Sequence, residues 1–279
     1  MVAALGSAGL LAGAITVFGW MIDETRFDRP DEGFDRLTTR LAGIPGVSVD
    51  ASQRWVEAPT FLRPSSWVQL TVDESSLPAL LDSACSSGYP DAVDWSLRVR
   101  TDGGNVVSAS TDPEASRGAS GDRCPDVGFD LLGVVDQVDR TAQGLDLQAA
   151  VWEEGRFALV SLDEDPLGLP ALLPLVAGAE DLRDAAGLPR DRSVEVNSSQ
   201  LILVVEPGEQ ERYAEVLTGL VAEHGVSSYW ADGGGEQIDG VEKVQIVARE
   251  SEQGPIEEAL RTSGLHIADL PVRFLPFTP

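Results

Sequence analysis

The pentapeptide Leu77-Pro78-Ala79-Leu80-Leu81 occurs twice, returning letter for letter as Leu169–Leu173, 92 residues further on. Two other echoes keep the same order. Gly33-Phe34-Asp35-x-Leu37 returns as Gly128-Phe129-Asp130-x-Leu132 at an offset of 95, and Trp55 is answered by Trp152 at an offset of 97. Three ordered matches at nearly one spacing mark an internal duplication, so the chain is read as tandem copies of one supersecondary unit.

The pattern of each copy can be read from its periodicity. Phe34, Leu37 and Leu41 recur at helical spacing, and Gly43 with Pro45-Gly46 ends that helix. Val47-x-Val49 opens an extended segment to Trp55-Val56, Trp67–Val72 alternates as a strand, and LPALL begins a second helix that closes at Gly88. Trp95-x-Leu97-x-Val99 is the next strand. In the second copy the strand before LPALL is Phe157–Leu162. A third copy shares the pattern more than the letters. Leu201–Val205 is a strand, and Tyr213, Val216, Leu217, Leu220 and Val221 mark a helix face ending at His224-Gly225. Extended segments follow at Ser227–Ala231 and Val241–Val247. Pro255 begins a last helix, and Ile267–Leu275 is the terminal strand.

Strand, helix, strand, strand, helix, strand is the split βαβ order. The predicted fold class is α+β: an N-terminal transmembrane helix, then tandem ferredoxin-like modules with antiparallel sheets. The boundaries are an anchor at 1–22, a stalk at 23–33, module 1 at 34–110, a linker at 111–126, module 2 at 127–198 and module 3 at 199–279. The linker is assigned from STDPEASRGASGDRCPD, rich in Ser, Gly, Asp and Pro and without apolar period.

The anchor rests on Val2–Ile22, twenty-one consecutive residues without a charged side chain, with Trp20 near the far end. As a helix the run spans roughly 30 Å, a bilayer's hydrocarbon thickness. A cleaved signal peptide would carry a basic n-region, and no Lys or Arg precedes the run; a buried core helix would be shorter. Arg26, Arg29, Arg36 and Arg40 follow it and pull toward a cytoplasmic body, but long domains translocate largely regardless of such charge. The reading is therefore a single-pass membrane protein with the bulk of the chain extracytoplasmic. Gly9 and Gly13 form a GxxxG pair, a face for helix-mediated homodimerisation.

The formal charge of −26 repels phosphate backbones, which excludes nucleic acid as a natural partner. Cys85 and Cys124 are the only cysteines; without CxxC spacing they make no zinc site and instead are a disulfide candidate in an exported chain.

Acidic residues cluster where strands turn into helices, at Asp73-Glu74, Asp163-Glu164-Asp165 and Glu206 with Glu209. Carboxylates there are read as helix caps. A calcium loop starting at Asp163 fails, with Leu167 fifth and Pro174 twelfth. His224 and His266 lack metal-ligand spacing; His224 is placed in a last helical turn and His266 at the start of a strand. Ser120 lies in the linker and not in a GxSxG elbow, and Gly233–Gly235 reads as a hairpin loop and not as a phosphate cradle. No catalytic, cofactor or metal residue is assigned. Trp55, Trp152 and Trp230, at matching places in the copies, fill equivalent core sites or line an aromatic groove for sugar or peptide; the core reading is preferred because indoles bury so much area. The tandem module resembles bacterial BON modules in topology, and Val151–Leu162, centred on Gly155, resembles their strand pair, while module 1 has Ala58-Pro59 in that region. No function is carried over from that resemblance.

The functional expectation is a non-enzymatic, membrane-anchored interaction or sensor protein of the bacterial cell envelope, with a protein partner there and no cofactor. The alternative is a carboxylate-dependent hydrolase, or a carbohydrate- or cation-binding module, working in an inter-module cleft.

Overall fold

The computed structural model describes residues 26–59, 64–111, 124–152, 155–163, 168–231 and 241–276. These residues form twelve strands. They are β1 Arg26–Asp28, β2 Val47–Glu57, β3 Ser65–Asp73, β4 Asp94–Arg100, β5 Val106–Ser110 and β6 Asp146–Val151. The others are β7 Phe157–Ser161, β8 Val194–Asn197, β9 Leu201–Val205, β10 Ser228–Trp230, β11 Val244–Val247 and β12 Val272–Leu275. Among the described residues there are seven α-helices: α1 Glu32–Ala42, α2 Leu77–Cys85, α3 Leu131–Thr141, α4 Leu169–Ala177, α5 Ala179–Ala185, α6 Gln210–His224 and α7 Gln253–Thr262.

All twelve strands lie in one mixed sheet in the order of the sequence. This overturns the tandem ferredoxin-like arrangement with antiparallel sheets: the fold is α/β. The strand β3 pairs with β4 in parallel, with α2 crossing between them, and the same holds for β5/β6, β7/β8, β9/β10 and β11/β12. Antiparallel pairs alternate with these. The physical reason lies in the crossovers. In a split βαβ module the two parallel strands joined by a helix are separated by another strand, whereas here β3 pairs directly with β4 over Trp67–Asp73 and Asp94–Arg100, and each later crossover does the same. No strand can be interleaved, so each new strand is added beside the last.

One face of this sheet is apolar across its central strands. In register across the strands lie Leu70, Leu97 and Ala109, then Leu147 with Val107, and then Leu159, Val196 and Leu203. All of these are buried. In the next strands Tyr229 faces Leu201 and Ile246. The helices cover this face and share one continuous hydrophobic cluster with it. Each fully buried Leu or Val contributes roughly 1.5–3 kcal/mol, so this layer is the main stabilising element.

The helices start and stop for local reasons. Asp31 caps α1 by accepting the Phe34 N–H at 2.9 Å, and Phe34, Leu37 and Leu41 are the buried face. Asp130 caps α3, accepting from Gly133 at 3.1 Å. In the Gly-Phe-Asp echo the residues therefore do different jobs, since Gly33-Phe34 lies inside α1 whereas Gly128-Phe129 precedes α3. The LPALL echo keeps its role. The helices α2 and α4 both begin at its first Leu, carry Pro in the first turn and bury the first and fourth residues.

The segment read as a stalk holds β1, an edge strand antiparallel to the end of β2. The anchor assigned to residues 1–22, with its GxxxG pair, lies outside the described residues, as do Ser120 and Gly233–Gly235. No helix among the described residues is long and apolar enough to cross a membrane. The single-pass membrane assignment is therefore withdrawn. It rested on the apolarity of one run, and apolarity does not by itself make a spanning helix.

The buried side chain of Asn105, in the turn before β5, ties that turn to the end of α3 and to the start of β6. Its amide nitrogen donates to Asp139 Oδ1 at 2.7 Å and to the Ala142 carbonyl at 2.9 Å, and its Oδ1 accepts from Leu145 N–H at 3.0 Å. Gly133 permits a close approach of α3 to α5: a Cβ there would sit 2.2 Å from the Ala185 carbonyl oxygen. Gly133→Ala should therefore destabilise the protein by about 1–3 kcal/mol through overpacking, although the same change in an exposed helix would stabilise by about 1 kcal/mol. Chemical denaturation distinguishes the two signs.

Cys85, the last residue of α2, is joined to Cys124 by a disulfide with Cα atoms 4.4 Å apart. The bond spans 39 residues of chain. Reducing it should lower stability by about 4 kcal/mol on the chain-entropy account. Alkylation without reduction should find no free thiol in protein from its native source; two free thiols would refute the bond in that setting.

Candidate functional site

The face of the sheet opposite the helices has no described helix over it. Its strand residues are mostly half-buried: Trp67, Gln69 and Thr71 on β3, Ser96 and Arg98 on β4, Ser108 on β5, and Gln148 on β6. Ala158, Glu195 and Val204 are buried where β7, β8 and β9 meet.

This face is close to charge balance. Five guanidiniums (Arg26, Arg98, Arg100, Arg156 and Arg273) stand against seven carboxylates, in a chain of net charge −26. The charges are largely paired side to side. Arg98 Nη2 lies 2.6 Å from Asp146 Oδ2, Arg100 Nη2 lies 2.7 Å from Asp73 Oδ1, and Arg156 Nη1 lies 2.8 Å from Glu195 Oε2. Glu195 is fully buried, and its second oxygen accepts from Asn197 at 3.0 Å, so both oxygens of this costly buried charge are satisfied. The acid excess therefore sits on the helices and loops.

The three echoing tryptophans belong to this open face and not to the core. Trp55 ends β2 opposite Ser65 and Asp28, Trp152 follows β6, and Trp230 ends β10 opposite Gln245. The preferred core reading is corrected by Trp152, which is 36% exposed. Arg26 stacks on Trp55 with its guanidinium carbon 5.0 Å from the ring centroid. The strands that carry the indoles run in the same direction, four places apart in the sheet. Adjacent indoles are therefore ~19 Å apart. At the usual twist of about 20–25° per strand, four strands turn the sheet by roughly 90°, so the indoles face different ways. They form three separate contact points and do not line one groove.

The acidic clusters do not converge. Asp73 pairs with Arg100, Glu74 accepts the Asp102 N–H at 3.0 Å, and Asp163 accepts the Ser161 hydroxyl at 2.9 Å. Asp73 and Glu209 occupy N-cap positions but make no capping bond, which corrects their reading as caps. Asp73 is bonded to Arg100 instead, and Glu209 to His266.

Both histidines staple α6 to α7. His224 Nδ1 lies 2.9 Å from Glu252 Oε2, and this hydrogen bond holds the Glu252 carboxyl below its ordinary range. His266 Nδ1 lies 2.5 Å from Glu209 Oε2, and its backbone N–H donates to Glu209 Oε1 at 2.8 Å. His266 sits in a turn after α7 and not in a strand. The two pairs close opposite ends of the same helix–helix contact.

A further cluster was not legible in the sequence. Arg54 donates from Nε to the Tyr89 hydroxyl at 3.0 Å and from Nη2 to Asp91 at 2.8 Å, and Ser66 Oγ lies 3.1 Å from the same hydroxyl. The register shift between Val49 and Ala51 turns Arg54 toward the helix side of β2. Only a mid-strand break in the apolar alternation hinted at it.

No protein-family model, no curated protein and no solved structure matches the chain. The roles of its residues are argued from their geometry.

Burial pushes the Tyr89 phenol above its ordinary value of 10.0, with hydrogen bonds from Ser66 and Arg54 offsetting part of the rise. The unfolded chain thus loses this proton first. The stability contributed by neutral Tyr89 is present in full below pH ~10 and is lost as pH climbs through the folded value. The gap in melting temperature between wild type and Tyr89→Phe should narrow from pH 9 to 11; a widening gap would mean that the folded protein ionises Tyr89 first.

Proposed function

We propose that this chain is a non-enzymatic interaction protein that holds a protein partner on the open face of its sheet. The carrying observation is the contrast in charge between a nearly balanced open face and a chain at −26. A partner can approach that face without meeting the repulsion of the rest of the surface. Trp55, Trp152 and Trp230 supply aromatic contacts of the kind that anchor interfaces, set at intervals along the face. The paired arginines and carboxylates between them suit a polar, wet interface and not a dry one. The disulfide fits work in an oxidising environment, where such bonds persist.

Site-specific photo-crosslinking tests this. A crosslinker at Gln148 on the open face should capture a discrete partner from native extract, and excess unlabelled protein should compete it away. Trp152→Ala should reduce that capture at least threefold. The reading fails if a crosslinker at Glu215, exposed on the helix side, captures the same partner as efficiently, or if the Gln148 product is not competed.

A further inference from the structure

On the helix side, between α1 and the loop that follows α2, lies a pocket of about 130 Å³. Arg36, Leu37 and Arg40 from α1 line it, and so do Tyr89 and Pro90 from the loop. The two arginines are one helical turn apart, so both guanidiniums reach the same mouth. Arg36 has only a solvent-exposed partner, Glu32 at 3.6 Å, and a pair of that kind contributes little. The exposed Arg40 guanidinium makes no hydrogen bond or ion pair with any described residue.

The loop is held in place before any ligand arrives. It begins next to Cys85, whose disulfide to Cys124 fixes the end of α2. Gly88 takes φ of +69°, and Ser87 Oγ accepts the Tyr89 N–H at 3.3 Å. The Tyr89 ring is buried, with its hydroxyl turned to Ser66, Arg54 and Asp91. The floor that it forms with Leu37 and Pro90 is therefore apolar.

We infer that this pocket binds a small carboxylate carried on a short apolar stem. Its size suits a small ligand, since drug-sized ones occupy pockets of roughly 300–1,000 Å³. A planar carboxylate matches the guanidinium fork, and the stem lies on the tyrosine face. The site is separate from the open sheet face, so either proposal can fail without the other.

The test is an NMR titration of the full chain, read on arginine Nε–H signals at fixed ionic strength. Sodium butyrate should shift the Arg36 and Arg40 signals saturably with a millimolar Kd, and n-butylammonium should not. Arg40→Gln should weaken binding at least tenfold, whereas Arg273→Gln, at the far edge of the sheet, should leave it unchanged. A short peptide with a free C-terminal carboxylate, compared with its amide, shows whether a chain terminus is accepted as well as a free acid. The inference is overturned if butyrate gives no saturable shift, if Arg40→Gln binds as tightly as wild type, or if phosphate binds as tightly as butyrate. That last result would leave charge alone as the attraction and the apolar floor without a role.

Discussion

Every described helix has the same sheet face to bury against, and that one-sided burial governs the rest. A strand exposes alternate residues to opposite faces, so a single slip in register would move the whole apolar set into water. Across the central strands the apolar residues stay in step, from Leu70 through Leu97, Leu159 and Val196 to Leu203. The one register shift, between Val49 and Ala51, occurs on β2 near the edge of the sheet. It is also where Arg54 is turned inward to reach Tyr89 and Asp91.

Leaving one face without a described helix has an electrostatic consequence. A chain at −26 would be strongly self-repelling if its carboxylates were spread evenly. Instead the open face pairs its charges across neighbouring strands, as in Arg98 with Asp146 and Arg156 with Glu195. Such pairs fix side-chain positions more than they add stability, because desolvation offsets much of the attraction. The helices and loops carry the acid excess, and among them the Arg40 guanidinium has no described partner.

Much of the element content was legible in the sequence. Phe34, Leu37 and Leu41 at helical spacing are the buried stripe of α1, and LPALL starts a helix in both places where it occurs. Strand β5 was missed because Val106–Ser110 is short and mixed in polarity, although Asp102-Gly103-Gly104-Asn105 ahead of it is a strong turn signal. The candidate sites were less legible. The tryptophans were visible as a repeat, but whether an indole faces the core or the open side depends on strand parity, which one bulge reverses. The Arg36 and Arg40 pocket needs a loop some fifty residues away, and no local pattern announces that meeting.

By itself, the sequence determined the repeated helix and strand pattern and the overall acidity. These follow from local propensity, spacing and counting, which do not depend on what lies across the fold. The tertiary structure alone decided that the repeats join into one mixed sheet instead of separate antiparallel ones. The reason is geometric: each helical crossover returns its strand directly beside the one before it, as β3 and β4 pair along their length, so no strand can be interleaved. It also decided the uses of the polar residues. Carboxylates suited to capping helices went instead to cations such as Arg100 and to His266, because ion pairing across elements competes with capping and depends on which elements become neighbours.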